Sequence, residues 1–361
     1  MLKRTPLFDR HVARGAKLAD FGSWEMPIEY SGTVAELTGV REAVGIFAVS
    51  HMGKVAVFGP GAAAFVNSIL ANDLDRIGAG QAQYSMLLND DGGVIDDLIV
   101  YKWNDDGVYI VPNAANAQTV VAALRATAPD GVTIDDQHET HGIVAVQGPR
   151  AAEMLSAVGL PAGMDYMAFT QTMWHDAPVV VCRSGYTGEL GFELIAPNSI
   201  LTDLWDELLR ESEAVGGVAA GLGARDTLRT EMGYPLHGQD ISPQITPVEA
   251  GLSWAIGWDK PGFAGKEAVA SQRANGPERR LRALLAQERA IPRSHMAVRD
   301  ADGAQIGEVT SGTFSPSLKQ GVALALIDAS VSVGDEVLVD VRGKQVPFMV
   351  TKAPFVESHV R

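Results

Sequence analysis

The chain has 361 residues, of which 46% are hydrophobic and 20% are charged, and its formal net charge is −15. This is more residues than usually fold around one hydrophobic core, so the length predicts two or three domains. The negative charge argues against non-specific binding to nucleic acid or to an anionic membrane, although a local arginine cluster can still hold an anionic ligand. No segment approaches the roughly 18 uninterrupted apolar residues of a membrane span, so no membrane association is expected.

Cysteine usage and the N-terminal residues both indicate a cytoplasmic protein. Cys182 is the only cysteine, which excludes an internal disulfide framework and fits a reducing compartment. Its place after the run Val179 to Val181 predicts a buried strand position rather than a reactive thiol. The first residues, Met1 to Phe8, contain no apolar core of a signal peptide. We therefore expect the chain to work in the cytoplasm.

Two segments of the chain resemble each other. Val55 to Val66 and Val144 to Leu155 each contain a short apolar strand, a Gly-Pro turn and an alanine-rich helix, with the proline suited to the first helical position. Two such units predict two α+β modules of similar design, with a ferredoxin-like arrangement as one option. The turns lack the further glycines, lysine and Ser/Thr of a phosphate-binding loop, so a nucleotide site is not supported.

The segment Tyr84 to Tyr101 predicts a β-hairpin with two adjacent acids in its second strand. An apolar run meets the turn Asn89 to Gly93, where Asp-Gly-Gly supplies residues that tolerate positive φ. Neighbouring side chains on a strand point to opposite faces, so one of Asp96 and Asp97 is expected to face solvent and the other the interior. An inward carboxylate has to be paired, hydrogen-bonded or used in chemistry. Two acids at a frayed strand end are the alternative.

The segment Ser184 to Glu193 predicts a glycine-rich turn followed by a strand. Gly188 and Gly191 allow close backbone approach, and Tyr186 offers a flat ring. The Glu193 carboxylate is suited to accept paired N–H donors from a planar 2-amino-4-oxo heterocycle, as carboxylates accept them from guanidinium. The alternative is that Glu193 is an exposed acid on an edge strand.

The second half of the chain changes from helical to β-type patterning. Ser199 to Ala214 carries a helical stripe of apolar residues that predicts a core helix, and Gly233 to Pro247 has the composition of a domain linker. Beyond Arg279, short β-type runs separated by turn signals predict a small all-β barrel or sandwich. The runs are Leu281 to Leu285, Gln305 to Thr310, Gly321 to Ile327, Glu336 to Val341 and Val346 to Thr351.

Several familiar patterns of functional sites are absent from the sequence. His138-Glu-Thr-His141 lacks the zinc spacing His-Glu-x-x-His and is expected to be a solvated loop, so no metal site is predicted. There is no Gly-x-Ser-x-Gly nucleophile elbow. Gly221-Leu-Gly223 lacks the third glycine of a dinucleotide-binding turn.

Five motifs, taken in order, resemble the T-protein of the glycine cleavage system, the folate-dependent aminomethyltransferase family. They are Ser50 to Met52, Tyr84 to Tyr101, Ser184 to Glu193, Gly221 to Arg229 and Thr310 to Leu318. The resemblance runs from Thr5 to Val356 and so covers nearly the whole chain. It implies an α+β fold of three domains in a cloverleaf around a central folate channel, two ferredoxin-like α+β domains and a C-terminal β-barrel.

The resemblance also implies domain boundaries. Residues 1–50 and 140–240 would form a first, discontinuous α+β domain. Residues 51–139 would form a second α+β domain that carries the catalytic aspartate, and residues 241–361 would contain a linker and the barrel.

The activity that the resemblance implies is transfer of a one-carbon unit to tetrahydrofolate. The donor is the aminomethyl-dihydrolipoyl arm of a lipoylated carrier protein, the H-protein; ammonia leaves and 5,10-methylene-tetrahydrofolate forms. Asp96 matches the acid regarded as catalytic in the family. The positions that match folate contacts or channel lining are Glu193, Arg225, Tyr186, Met52, Tyr84, Tyr101, Asn113 and Trp254.

Two features depart from the family pattern. Family members often place an aromatic or basic side chain beyond Pro-Phe as a folate contact, and the tail Glu357 to Arg361 leaves that contact open. His237 stands where tyrosine is common.

Two alternatives to the aminomethyltransferase are a folate-dependent demethylase of the same fold and a non-enzymatic folate-binding protein. The latter type carries a Lys-Gly-Cys motif, whereas the one cysteine of this chain stands elsewhere.

Overall fold

The structure is a computed structural model that describes residues 2–361. The N-terminal part contributes two helices, a two-stranded hairpin and one strand of a larger sheet. These elements are α1 (Phe8–Ala13), β1 (Lys17–Phe21), β2 (Trp24–Glu29), α2 (Thr33–Glu42) and β3 (Gly45–Ala48). Within the described residues no helix is long and apolar enough to cross a membrane.

The next part of the chain forms an antiparallel five-stranded sheet in the order β5-β6-β7-β4-β8. Two helices cover one face of this sheet. The elements are β4 (Val55–Phe58), α3 (Ala62–Ile69), β5 (Gln81–Leu88), β6 (Val94–Asn104), β7 (Gly107–Pro112), α4 (Ala117–Thr127) and β8 (Thr133–Asp136), with a 3₁₀ turn at Leu74–Arg76.

A six-stranded sheet follows, in the order β10-β11-β12-β9-β3-β13, and it includes strand β3 from the N-terminal part of the chain. Its only parallel pair is β13 with β3. The elements are β9 (His141–Gln147), α5 (Ala151–Ala157), β10 (Phe169–Trp174), β11 (Ala177–Cys182), β12 (Gly191–Pro197), α6 (Asn198–Glu213), β13 (Val218–Ala220) and α7 (Leu222–Glu231).

The C-terminal part is a closed six-stranded barrel in the order β14-β17-β16-β15-β18-β19. A 3₁₀ turn at Ser253–Ala255 and the helix α8 (Lys266–Asn275) precede it. Its strands are β14 (Arg279–Ala286), β15 (Ala297–Arg299), β16 (Gln305–Ser315), β17 (Gln320–Asp328), β18 (Glu336–Val341) and β19 (Lys344–Thr351). The α+β fold class with a C-terminal barrel is therefore confirmed, whereas the exact domain boundaries stay predictions.

The two sheets pack against each other through their open faces. Phe47 and Ala145 from the six-stranded sheet share a buried cluster with Tyr101 and Tyr109 from the five-stranded sheet. On the opposite faces, α5 and α6 cover the larger sheet, and α3 and α4 cover the smaller one. Both sheets are thus covered on both sides, so strand residues of either parity are buried.

The predicted linker, Gly233 to Pro247, is fastened to both of its neighbours. Asp240 is fully buried and accepts hydrogen bonds from Arg229 Nη1 of α7 at 2.7 Å and from Ser311 Oγ of the barrel at 2.8 Å. Because breaking a buried ion pair leaves an uncompensated charge, this contact holds the linker and the barrel against α7. The linker is therefore fixed in place beside the sheets.

The predicted hairpin turn, core helix and buried cysteine were confirmed, and the position of the two Gly-Pro prolines is a correction. The hairpin turns at Asn89, whose N–H donates to the Gly93 carbonyl at 2.9 Å, and α6 buries the predicted apolar stripe. Cys182 is buried on its strand. The two Gly-Pro prolines, however, lie ahead of the helices, which begin at Ala62 and Ala151. In the first copy Gly61, with φ of +76°, separates Pro60 from the helix.

Candidate functional site

A cavity of about 280 Å³ lies where the two sheets, α7 and the linker meet. All of its lining residues fall between Phe21 and Trp254, so the barrel braces the cavity without lining it. Eight of the nine residues singled out in the sequence lie on its wall. They are Met52, Tyr84, Tyr101, Asn113, Tyr186, Glu193, Arg225 and Trp254.

The ninth residue, Asp96, lies behind the cavity wall. Side chains alternate along β6, and Asp97, Ile99 and Tyr101 line the cavity. Asp96 is fully buried and points with Val100 to the helix-covered face. One of the two acids was expected to face solvent, and this expectation is wrong. The six-stranded sheet covers the face of β6 that the helices leave open. Of the two aspartates, Asp97 is the one that a ligand in the cavity would meet, and sequence reasoning did not single it out as a site residue.

Asparagine side chains tie the two aspartates together. Asn113 Nδ2 donates to Asp96 Oδ1 at 2.9 Å and to Asp97 Oδ1 at 2.7 Å, while Asn116 Nδ2 donates to Asp96 Oδ1 at 2.7 Å. Tyr84 OH donates to Asp97 Oδ2 at 3.1 Å. Hydrogen bonds of this kind compensate buried carboxylates for lost water. The position of Asp97 is therefore fixed by Tyr84, Asn113 and, indirectly, Asp96.

Burial and mutual repulsion make the aspartates hold protons more strongly than usual. Burial raises the pKa of Asp96 to about 8, and the neighbouring charge of Asp97 adds to this shift, against the hydrogen bonds from Asn116 and Asn113. Burial also raises the pKa of Asp97. Because neighbouring like charges disfavour double ionisation, the loss of a proton from one aspartate opposes its loss from the other, and the two titrate as a pair.

His237 occupies the cavity wall next to this pair. Its Nε2 lies 3.0 Å from the Val94 carbonyl oxygen, so Nε2 carries the proton and donates it. Nδ1 then accepts from Asn116 Nδ2, also at 3.0 Å. The histidine that replaces the common tyrosine is therefore joined through Asn116 to Asp96.

Glu193 and Arg225 provide opposite charges in the same cavity. Glu193 lies on β12, between β11 and β9, so the reading of an exposed acid on an edge strand is wrong. Ser184 Oγ donates to Glu193 Oε2 at 2.6 Å, and Oε1 has no hydrogen-bond partner within residues 2–361. The Arg225 guanidinium also makes no hydrogen bond to that part of the chain and lies 4.8 Å from the centroid of the Tyr186 ring. Both groups are available to a ligand.

Aromatic rings form one side of the cavity mouth. Trp254 stacks on Tyr84 with ring centroids 5.5 Å apart and an interplanar angle of 28°. Trp254 nevertheless remains 63% exposed, which is unusual for so large an apolar side chain. A flat ligand that enters beside it would cover this surface.

Comparison with known proteins decides the family. Residues 7–260 match the GCVT N-terminal domain, and residues 279–357 match the glycine cleavage T-protein C-terminal barrel domain. Over 362 aligned residues the chain is 57% identical to the aminomethyltransferase of Parafrankia sp. (strain EAN1pec), with 100% of this chain and 99% of the relative covered. It is 51% identical to the aminomethyltransferase of Mycobacterium avium (strain 104), with 99% and 97% covered. The chain belongs to the glycine cleavage T-protein family.

The fold agrees with a solved structure of the same family. The aminomethyltransferase T of the glycine cleavage system from Bartonella henselae superimposes with a TM-score of 0.94 at 36% identity, and 99% of each chain is covered. The resemblance drawn from the five motifs is thus confirmed, and with it the enzyme class of a transferase. For this T-protein family member the demethylase and the non-enzymatic alternatives are not favoured.

The C-terminal tail of this T-protein family member reaches the cavity rim. His359 N donates to the Gly188 carbonyl at 2.7 Å, and the His359 ring lies 3.1 Å from Glu189. These contacts bring the Arg361 guanidinium to 5.8 Å from the centroid of the Tyr166 ring, which lines the cavity. A basic side chain therefore stands at the rim, although the sequence had left this contact open.

The expected solvated loop around His138 is a correction. His138 is 9% exposed, stacks on Trp24 with centroids 5.4 Å apart, and its Nε2 lies 3.0 Å from the His51 carbonyl oxygen. The hairpin β1–β2, which is distant in the sequence, covers the His138 ring through Trp24. The local sequence around His138 carries no sign of this contact. Among residues 2–361, no group of His, Cys, Asp and Glu side chains has a metal-binding arrangement.

The raised pKa of Asp96 predicts a pH-dependent loss of stability. A carboxyl whose pKa is raised in the folded state favours the protonated form, so its stabilising contribution is present at low pH and is lost as pH rises through about 8. We expect the melting temperature of the wild type to fall more between pH 6 and pH 9 than that of Asp96→Asn. The excess should be at least a few degrees, since 1 kcal/mol shifts Tm by about 2–4 °C in domains of 150–250 residues.

Differential scanning fluorimetry on both proteins measures this difference. Titrating groups away from the pair cancel in the comparison, whereas the altered titration of Asp97, which is coupled to Asp96, is part of the measured difference. Parallel Tm curves for the two proteins would contradict the raised pKa.

Proposed function

We propose that this chain transfers the one-carbon unit of an aminomethyl-dihydrolipoyl carrier to tetrahydrofolate. The carbon–sulfur and carbon–nitrogen bonds of the aminomethyl group break, and two carbon–nitrogen bonds to folate form. The two protons lost from the folate nitrogens go to the thiolate and to the departing ammonia. The observation that carries the proposal is a single cavity with a free Glu193 oxygen, an unpartnered Arg225 and the Asp97 carboxylate on its wall.

The reduced pterin is the ligand that best fits Glu193 and Arg225. Its 2-amino group and ring N3–H form a pair of donors that matches a carboxylate acceptor. The adjacent 4-oxo group is an acceptor that matches the guanidinium of Arg225. The flat face of Tyr186 and the stacked rings of Tyr84 and Trp254 suit a planar ligand. Tetrahydrofolate is therefore the proposed cosubstrate.

A carboxylate beside the reacting carbon would stabilise the positive charge that develops as the carbon–heteroatom bonds break. We assign this role to Asp97, and the support is its place on the cavity wall. Asp96 would act through Asn113 by holding Asp97 in position. The catalytic role that the family resemblance implies for Asp96 itself stays a prediction, which a comparison of the two substitutions tests. Holding both substrates in one cavity would add to the rate.

The direct test is ammonia release from an aminomethylated lipoyl carrier in the presence of tetrahydrofolate. The proposal requires ammonia and 5,10-methylene-tetrahydrofolate in equal amounts, and neither without the folate. Methyl transfer from small sulfonium or N-methyl donors, without ammonia release, would instead support the demethylase. Folate binding without turnover of either substrate class would support the non-enzymatic reading.

The proposed macromolecular partner is the lipoylated H-protein, and three basic residues form a candidate docking surface. Arg289, Arg293 and Lys319 are exposed at one end of the barrel. The loop that carries the arginines is fixed there, because Arg293 Nη1 donates to the Gly312 carbonyl at 3.0 Å and Gln320 Nε2 to the Ala286 carbonyl at 3.2 Å. Local cations of this kind speed encounter with an acidic partner even when the net charge is −15. A cytoplasmic location stays a prediction.

Replacing Arg289, Arg293 and Lys319 together with alanine should raise the KM for the carrier by about three- to tenfold. The reason is that exposed charges mainly affect the association rate, which falls as salt screens them. The dependence of kcat/KM on ionic strength should become flatter, while the affinity for tetrahydrofolate stays the same.

A matched control removes three exposed cations outside the barrel, Arg76, Arg125 and Arg210, and so changes the net charge equally. The control should retain the wild-type KM and salt slope. Equal behaviour of the two triple variants would move carrier docking to another surface.

A further inference from the structure

His51 is a cavity residue whose imidazole has no hydrogen-bond partner among residues 2–361. It lines the cavity between Val49 and Met52 and is only 2% exposed. Its Nδ1 is fully enclosed without a hydrogen bond, whereas Nε2 is also unbonded to residues 2–361 but is not fully enclosed. Nε2 is therefore the nitrogen that a ligand in the cavity can reach, and buried polar groups normally find a partner in the protein, in ordered water or in a ligand.

The surroundings of His51 hold the ring in place without using its nitrogens. The His51 carbonyl oxygen accepts from His138 Nε2 at 3.0 Å, and the preceding Ser50 Oγ accepts from Ile143 N at 3.0 Å. Phe21 packs edge-on against the imidazole, with centroids 5.6 Å apart and an angle of 83°. The ring is therefore oriented in advance, as a binding group has to be.

The electrostatic environment determines what kind of atom His51 can bind. Burial lowers the pKa of His51 to about 3, and the positive charges of Arg225 and Lys54 contribute, so the imidazole is neutral at physiological pH. A neutral imidazole carries one N–H donor. Nearby cations disfavour a positively charged ligand atom and favour an electron-rich oxygen. The amine of the carrier arm is thus a poorer partner than a carbonyl of the folate.

We propose that His51 donates a hydrogen bond to the 4-oxo oxygen of the reduced pterin, the same edge that Arg225 reaches. The inference rests on the proposed function, since it names a further contact for the same cosubstrate. It makes His51 a residue that selects 4-oxo pterins over 4-amino pterins, because a 4-amino group offers donors where His51 and Arg225 also offer donors.

The test uses calorimetry to measure the affinity of three proteins for two ligands. The ligands are tetrahydrofolate and its 2,4-diamino analogue, tetrahydroaminopterin, and the proteins are the wild type, His51→Phe and His51→Gln. We expect His51→Phe to weaken tetrahydrofolate binding about tenfold and to change analogue binding less than twofold. His51→Gln retains an N–H donor and should lose less than threefold.

The analogue serves as an internal control for damage to the fold. An equal loss for both ligands in His51→Phe, or tetrahydrofolate affinity within twofold of the wild type, would overturn the role of His51. If the wild type binds neither ligand, the proposed function fails and this inference with it. If the wild type binds tetrahydrofolate and His51→Phe matches it, only the contact from His51 fails.

Discussion

Asp97→Asn should lower kcat by about 10²–10⁴-fold, the range expected for a positioned carboxylate in acid–base or electrostatic catalysis. The substitution keeps the size of the side chain and removes its negative charge from the cavity wall. Stability should change little, because Asn113 keeps an oxygen to bond, the Tyr84 hydroxyl can accept from the new amide N–H, and one of two neighbouring buried carboxylates disappears. Steady-state ammonia release and a thermal melt on the same preparation measure both quantities.

Asp96→Asn is the matched comparison, since it makes the same chemical change one residue away. Asp96 is fully buried and contacts Asn113 and Asn116 rather than the cavity, so we expect a loss in kcat at least tenfold smaller than that of Asp97→Asn. The reverse order would restore the catalytic role that the sequence motif gave to Asp96. Turnover within about threefold of the wild type in both variants would remove the pair from the mechanism, since a positioned group contributes far more.

Glu193→Gln should weaken tetrahydrofolate binding by about 1–3 kcal/mol, which is about 5- to 150-fold in Kd. The charged acceptor becomes an amide, and the amide presents N–H donors toward the donors of the pterin. The main chain should be undisturbed, because Ser184 Oγ can still donate to the amide oxygen. Calorimetry on the purified protein gives the affinity directly, without the carrier.

Two further variants test the neighbouring contacts of the same site. Ser184→Ala removes the hydrogen bond that orients Glu193 and should show a smaller loss of affinity in the same direction. Arg225→Ala should also weaken folate binding, and its thermal stability has to be measured alongside because Arg225 lies within α7. An unchanged Kd in Glu193→Gln would take Glu193 out of the pterin site.

Local pattern was sufficient for most of the secondary structure. The hairpin turn at Asn89 to Gly93, the apolar stripe of α6 and five of the six barrel strands follow from periodicity and turn residues that lie close together in the chain. The sixth strand, Ala297–Arg299, has three residues and is too short to produce a pattern. All eight lining residues singled out in the sequence came from the resemblance to the family, because periodicity and turn residues carry no information about which side chains share a cavity.

The sequence by itself determined the family, the fold class and the fact that Asp96 and Asp97 point in opposite directions. Only the tertiary structure decided which of them meets the cavity, because both faces of their sheet are buried, one by helices and one by the second sheet. The interior position of Glu193 depends on the strand order β11-β12-β9. The unpartnered state of His51 depends on contacts with Phe21 and His138, which lie far from it in the chain. Such long-range packing has no local signal in a single sequence.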